Sequence, residues 1–423
     1  MSDAEYLTVE EALTAVLSGV SVLAAEQVPL LDALGCVLAE DVVAKDSLPP
    51  FANSSMDGYA LVASDLARAT TENPATLRVV GDVAAGTVLE VTIKSGTAVR
   101  IMTGAPLPPG ADAVVPVEDT NEAWRDRERP LPEQIQVTRS VKPGDYIRHP
   151  GEDIEAGQTI LREGHILRPQ EVGVLASLGV SQISVIRRPK VAIIATGDEL
   201  LEVDQPLQPG KIRNSNGYTQ AAQIIALGAE PVQLGIAGDT ETAVRQKLQA
   251  GLDANVDLFI SSAGVSVGAY DVVKAVLEAE GNVGFWRVRM RPGKPLAYGT
   301  YHGVPYLGLP GNPVSAMVSF ERFARAAIRK MAGHTQLERP TIPVTVQNEI
   351  HSDGRESYIR ASVAPADEGV GYTAVLTGDQ GSHILTSLVK ANALLIVSEG
   401  VKKVPAGSQL NAWMIDWPET VFL

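Results

Sequence analysis

Four cations stand within ten residues between Phe285 and Lys294, namely Arg287, Arg289, Arg291 and Lys294, with no acid among them. In an extended segment Arg287, Arg289 and Arg291 share one face, and such a row lining a cleft would neutralise phosphate or another oxyanion through charge-assisted hydrogen bonds. A solvated face is the plainer alternative. Thr196-Gly197-Asp198-Glu199-Leu200 places two acids directly after an apolar run. Asp198 as a helix cap and Glu199 at the positive helix end would explain one acid better than two. Ser261-Ser262-Ala263-Gly264-Val265-Ser266-Val267-Gly268 is rich in residues whose backbone N–H groups approach a phosphate closely, although such loops also serve as ordinary turns. Arg213-Asn214-Ser215-Asn216-Gly217 reads alone as an Asn-capped turn, and Leu309-Pro310-Gly311-Asn312-Pro313 as a rigid strand-to-helix turn with Pro313 at the helix start. Nearer the N-terminus, Ser54 to Ala60, containing Asp57-Gly58, and Thr103-Gly104-Ala105-Pro106 carry turn chemistry.

The elements that would position these residues change character along the chain. Thr8 and Glu11 form a capping box, and apolar residues at helical spacing through Val16, Val20 and Val22 predict a helix pair over residues 8–35, ended by Gly35. Residues 39–150 turn to short β-rich runs, Thr76 to Val80, Val88 to Ile93 and Ala98 to Ile101, which predict a small inserted β domain. The charged stretch Asn121 to Arg129 reads as a solvated loop, and Pro169 to Leu178 as a helix closed by Gly179. From Lys190 buried strands alternate with helices. Strands are expected over residues 191–196, 231–237 and 257–262, and helices over 218–227, 241–250 and 272–279, giving a doubly wound α/β domain that ends near Gly333. In such domains ligands bind outside the carboxyl ends of the strands, where the loops after residues 196 and 262 lie. Five strand candidates in the last 88 residues predict a terminal β-barrel.

Composition narrows the function. A chain of 423 residues, 45% hydrophobic and 20% charged, builds several cores, and the fold class is multidomain α/β plus β. Its net charge of −15 argues against broad nucleic-acid binding, so an anion site must be local. The one cysteine, Cys36, excludes an internal disulfide framework and a cysteine-rich metal site. No basic leader and no membrane-length apolar run is present, which leads us to expect a soluble, cytoplasmic protein with neither nucleic-acid nor membrane partners.

Taken in chain order, these segments closely resemble the molybdopterin molybdenumtransferase family, which includes bacterial MoeA and the E domain of gephyrin. The resemblance rests on Asn53 to Ala60, Thr103-Gly104-Ala105, Gly151-Glu152-Asp153-Ile154, Thr196 to Leu200, Asn214-Ser215-Asn216, Gly264 to Gly268 with Asp271, Arg291-Pro292-Gly293-Lys294-Pro295, Leu309 to Pro313 and Gly381-Ser382-His383. It implies a discontinuous helical linking part at residues 1–50 and 148–188, an inserted β domain at 51–147, a Mog-like α/β domain at 189–334 and a β-barrel at 335–423. It implies an elongated homodimer with Asp57 and Thr103 acting across the subunit interface. Two departures stand out: Arg291 where the family often has lysine, and Ala263 where it often has glycine. Arginine keeps the charge and offers two donors to an oxyanion.

The reaction so implied takes adenylylated molybdopterin and molybdate and releases molybdenum cofactor and AMP. Asp57, Thr103, Asp153, Glu199, Asp239 and Asp271 are the expected catalytic residues, with Glu199, Asp239 and Asp271 holding magnesium. The expected ligand-binding residues are Asn214, Ser215, Asn216, Gly264, Val265, Ser266, Gly268, Arg287, Arg291 and Lys294, with Pro310 and Pro313 at the floor of an oxyanion pocket and Arg360 and Ser382 reaching it from the barrel. The adenylyltransferase that makes the activated pterin, and molybdoenzyme apoproteins or chaperones, are the expected partners. Two rival readings remain: a Mog-type molybdopterin adenylyltransferase, against which the inserted domain and barrel argue, and a gephyrin-like scaffold, against which the acids argue.

Overall fold

The run Lys190–Thr196 forms an interior strand of the molecule's largest sheet, because it is apolar on both sides and can be covered on both. The computed structural model describes residues 6–87, 90–122, 130–262, 272–366 and 371–416. Seven strands follow the order Tyr6–Leu7, Gly281–Val288, Pro295–Tyr301, Val304–Leu309, Leu258–Ser262, Lys190–Thr196, Glu230–Ala237. All run parallel except Pro295–Tyr301, which pairs antiparallel with both neighbours, so the sheet is mixed. Val191 and Ile193 join one core with the helices Val9–Ser18, Ser215–Ala226 and Pro313–Ser319. Ala192 and Ile194 point the other way, onto the core containing helices Glu241–Asp253 and Val272–Glu280. This alternation makes the domain doubly wound, and each fully buried Ile or Leu contributes roughly 1.5–3 kcal/mol.

The C-terminal strands close on themselves. Glu356–Pro365, Tyr372–Leu376, Thr341–Val346, Gln409–Met414 and Ala393–Val397 pair in that order, and Ala393–Val397 returns to Glu356–Pro365. The result is the expected barrel, its interior filled by residues such as Val344, Val363 and Leu395. A two-residue strand, Met290–Arg291, adds in parallel to Glu356 and Ser357, which carries the cationic segment onto the barrel's flank.

The capping box at Thr8 and Glu11 is present, but the helix pair is not: only Val9–Ser18 is helical, and Ala25–Pro29 is a strand paired with Gln182–Ile186. Polar Glu26 and Gln27 leave that stretch no continuous apolar stripe, and a distant partner decides its conformation. No strand forms at residues 90–93, while residues 88 and 89 lie outside those described.

The chain divides into two compact units: one comprises residues up to Ala39, Ile166–Arg168 and Ile183 onward, the other Glu40–His165 and Pro169–Gln182. The second contains a five-stranded sheet ordered Ala113–Pro116, Gly58–Leu61, Thr97–Ile101, Ala75–Val83, Gln134–Val137. Arg100 is buried there and grips Asp82 with Nε at 2.9 Å and Nη2 at 2.8 Å, a pairing that raises the guanidinium pKa. Among the described residues no helix is long and apolar enough to cross a membrane.

Candidate active site

Parallel pairing brings the carboxyl ends of Lys190–Thr196, Leu258–Ser262 and Val304–Leu309 to one edge of the sheet. Glu230–Ala237 ends beside Thr196, and its connection crosses to Leu258–Ser262 on the other side of Lys190–Thr196. That change of direction is where open α/β sheets bind ligands. Two described connections leave the sheet there, Gly197 to Glu199 and Pro310 to Asn312. The expected residues Gly264, Val265, Ser266, Gly268 and Asp271 lie outside the described residues.

Asp198 and Asp239 clasp one another across adjacent strand ends. Asp239 N–H donates to Asp198 Oδ1 at 3.0 Å, and Asp198 N–H donates to Asp239 Oδ2 at 3.2 Å. Lys211 Nζ donates to the Asp198 carbonyl and supplies a nearby positive charge. Each carboxylate retains one oxygen beyond the clasp and both side chains are exposed. Glu199, the next residue along, is also exposed. Among the described residues no cluster of three or more His, Cys, Asp and Glu side chains forms a metal cage. Two carboxylates with substrate oxygens and water are nevertheless an ordinary magnesium environment, so the donor set fits that ion.

Beside these acids opens a cavity of about 720 Å³. Glu199 lies on one wall, Arg291, Lys294 and Arg355 supply cations, Pro310 to Asn312 form part of the floor, and Gln380 to Ser382 close the barrel side. Gly293 has φ +109°, and a Cβ there would meet Ser319 Oγ at 2.5 Å, so only glycine lets the Arg291 to Lys294 wall pack this closely. Asn216 Nδ2 donates to the Gly311 carbonyl at 2.8 Å, and Asn312 Nδ2 donates to Ser382 Oγ at 3.1 Å. These bonds tie helix, turn and barrel loop around the opening.

The structure corrects several expected positions. The three arginines do not share a face: the strand ends at Val288, and the guanidiniums diverge. Arg287 stacks on Tyr6 at 5.8 Å, with Lys294 at 5.3 Å from the same ring, and the Lys294 hydrogen bond holds the Tyr6 hydroxyl below its usual pKa. Arg289 pairs with Glu399 at 2.8 Å, leaving Arg291 as the member of that row in the cavity. Arg360 does not reach the opening. It is 1% exposed, and its donors go to Ser387 Oγ and the carbonyls of Asp379 and Gly381, so it supports the barrel loop from below. Buried Asn214 caps helix Ser215–Ala226 by accepting from Gly217 N–H at 3.0 Å. Ser215 is exposed at the start of that helix, and Pro313 opens the next helix without lining the cavity.

In the other unit, antiparallel pairing of Gly58 with Ile101 sets the residues just beyond them side by side. Asp57 Oδ1 accepts from Thr103 N–H at 2.7 Å and from its hydroxyl at 2.9 Å, which unites two expected residues. Asp153 is exposed in a separate loop anchored by its N–H to the Leu48 carbonyl. Sequence reasoning missed Arg355, which donates to Asp353 and to the Met290 carbonyl while lining the cavity. No motif surrounds it. Asp198 had a signal, its place in the Thr196 to Leu200 motif, but its cap reading concealed the clasp.

Three family models match: the MoeA N-terminal region (domain I and II) over residues 7–179, a probable molybdopterin binding domain over 192–330, and the MoeA C-terminal region (domain IV) over 343–415. The chain is 40% identical to molybdopterin molybdenumtransferase 2 of Mycobacterium tuberculosis strain H37Rv, covering 91% of this chain and 94% of the relative. It is 36% identical to the molybdopterin molybdenumtransferase of Haemophilus influenzae, over 91% and 93%. A crystal structure of the molybdopterin biosynthesis moeA protein from Pyrococcus horikoshii OT3 superposes with a TM-score of 0.77 at 30% identity, covering 97% of this chain and all of that one.

Proposed function

As a member of the molybdopterin molybdenumtransferase family, the chain serves molybdenum insertion in molybdenum cofactor biosynthesis, and we propose that it does so by exchanging molybdate into adenylylated molybdopterin with release of AMP. The observation that carries this reading is the local cationic wall of Arg291, Lys294 and Arg355 beside strand-end carboxylates, within a chain of net charge −15. Such a wall suits oxyanion and phosphate oxygens. Lys294 and Arg291 hold the anionic ligand, Ser382 and Asn312 orient it, and Glu199 and Asp239 would hold magnesium with Asp271. Bound there, magnesium would neutralise phosphate charge as the anhydride separates. Asp57, Thr103 and Asp153 complete the proposed machinery.

Purified protein given adenylylated molybdopterin, magnesium and molybdate is expected to release AMP and to yield a product that activates a molybdoenzyme apoprotein. AMP release indifferent to molybdate would overturn the exchange reaction. Chelation is expected to stop release while leaving pterin binding intact; full turnover in chelator would remove the carboxylates' metal role. We further propose a homodimer in the cytoplasm, receiving its substrate from an adenylyltransferase; buried Cys36 fits a reducing compartment. Sedimentation across a concentration series is expected to give twice the chain mass.

A further inference from the structure

A second cavity, of about 890 Å³, lies elsewhere in the larger unit. Its charged wall is one face of the helical run Pro313–Met331, which is broken in the middle by a π-turn at Phe320–Ala324. Such turns redirect the side chains that follow and recur at functional sites. Here Glu321 and Arg325 sit on successive turns, Arg329 follows one turn later, and Arg339 joins them from the connection to the barrel.

With Arg188 and Asp416 elsewhere on its lining, the cavity carries four guanidiniums and two carboxylates, an excess of two positive charges. Glu321 is occupied: it accepts from Gln223 at 2.8 Å and from Arg339 Nε at 2.6 Å, with Arg325 at 3.9 Å. Arg329 donates through Nε to the Gln336 carbonyl and Arg325 through Nη1 to the Leu337 carbonyl, and the acid facing Arg325 Nε, Glu321, stands at 3.9 Å, beyond hydrogen-bond distance. Arg325 is 8% exposed, and its Nε and the Nδ1 of His334 are buried without hydrogen-bond partners among the described residues. Burial, then the charges of Arg339 and Arg329, push the Arg325 pKa down to about 10 against the opposing pull of Glu321 and Glu338. The opening is apolar by contrast, with Ile225 62% and Val389 83% exposed.

From this we infer that the cavity binds an organic phosphate, its dianionic head received by Arg325, Arg329 and Arg339 and its apolar body lying against Ile225 and Val389. A dianion matches the excess of two cations better than a carboxylate does, and a buried donor without a partner is a cost that a phosphate oxygen would remove. The cavity size suits one small ligand.

Calorimetric titration of the full-length protein with phenyl phosphate, inorganic phosphate and benzoate tests the inference. Phenyl phosphate is expected to bind at least tenfold more tightly than either of the others. Arg329→Gln is expected to weaken it at least tenfold and leave AMP release unchanged, whereas Arg291→Ala is expected to leave phenyl phosphate affinity unchanged and impair AMP release. Should Arg329→Gln fail to fold, Ile225→Asp at the exposed rim supplies a repelling charge and the same expected loss. Benzoate equal to phenyl phosphate, affinity indifferent to both rim and floor variants, or loss with Arg291→Ala alone would each overturn the site. The AMP assay separates such a failure from failure of the molybdenum-insertion reading.

Discussion

Arg291 and Arg360 carry the same guanidinium but differ in what their removal should cost. Arg291 is half-exposed in the cavity wall, so Arg291→Ala is expected to move stability by only about 0.5 kcal/mol. Loss of a charge-assisted contact should weaken molybdate or pterin-phosphate binding by roughly 1.5–3 kcal/mol in a calorimetric titration. Arg360→Met should do the reverse at first: it removes three donated hydrogen bonds from the barrel's buried outer face, to Ser387 Oγ and two loop carbonyls, and denaturant unfolding is expected to show a loss of roughly 2–4 kcal/mol. The charge run around Arg291 made it legible in the sequence. The role of Arg360 was not, because its burial depends on strands closing a barrel from far along the chain. His334 offers a pH test. Burial, then the charges of Arg329 and Arg325, lowers its pKa from 6.5 to about 4, with Arg339 and Glu321 lining the same cavity. The unfolded chain therefore binds the extra proton first, so this contribution is complete above about pH 6.5 and is lost as pH falls through about 4. His334→Phe should flatten that part of a stability profile measured by urea unfolding.

At the level of elements, caps and buried runs were readable and distant pairings were not. The Thr8 box, the Lys190–Thr196 strand and all five barrel strands follow from local periodicity. Ala25–Pro29 does not, since its partner Gln182–Ile186 lies in another part of the chain and supplies what the local pattern lacks. Asn214 shows that one residue can satisfy both a motif and a cap. Asn214→Ala is expected to cost about 1 kcal/mol of stability, measured by thermal unfolding. Gly19 ends the first helix where a Cβ would stand 1.8 Å from Tyr298 Oη, whose hydroxyl donates to the Val16 carbonyl. Gly19→Ala should therefore destabilise by about 1–3 kcal/mol through overpacking, and unchanged stability would show that Tyr298 moves aside freely.

For the whole molecule, the acidic balance makes cationic cavities stand out, and that contrast was readable from composition; which cations line which cavity required the folded chain. The edge of the large sheet raises a different matter. Tyr6 and Leu7 pair with Arg287 and Val288, about 280 residues later, and helix Val9–Ser18 packs into the same core. At synthesis rates of roughly 5–20 residues per second, this opening segment waits on the order of 14–56 s before its partner strand emerges. Until then Tyr6 has no cations to stack against, and afterwards Gly281–Val288 keeps an open edge until the segment arrives. Protease pulses on ribosome-bound chains should cut near the N-terminus until residue 288 is clear of the exit tunnel, whereas refolding from denaturant, with both strands present at once, should show no such delay.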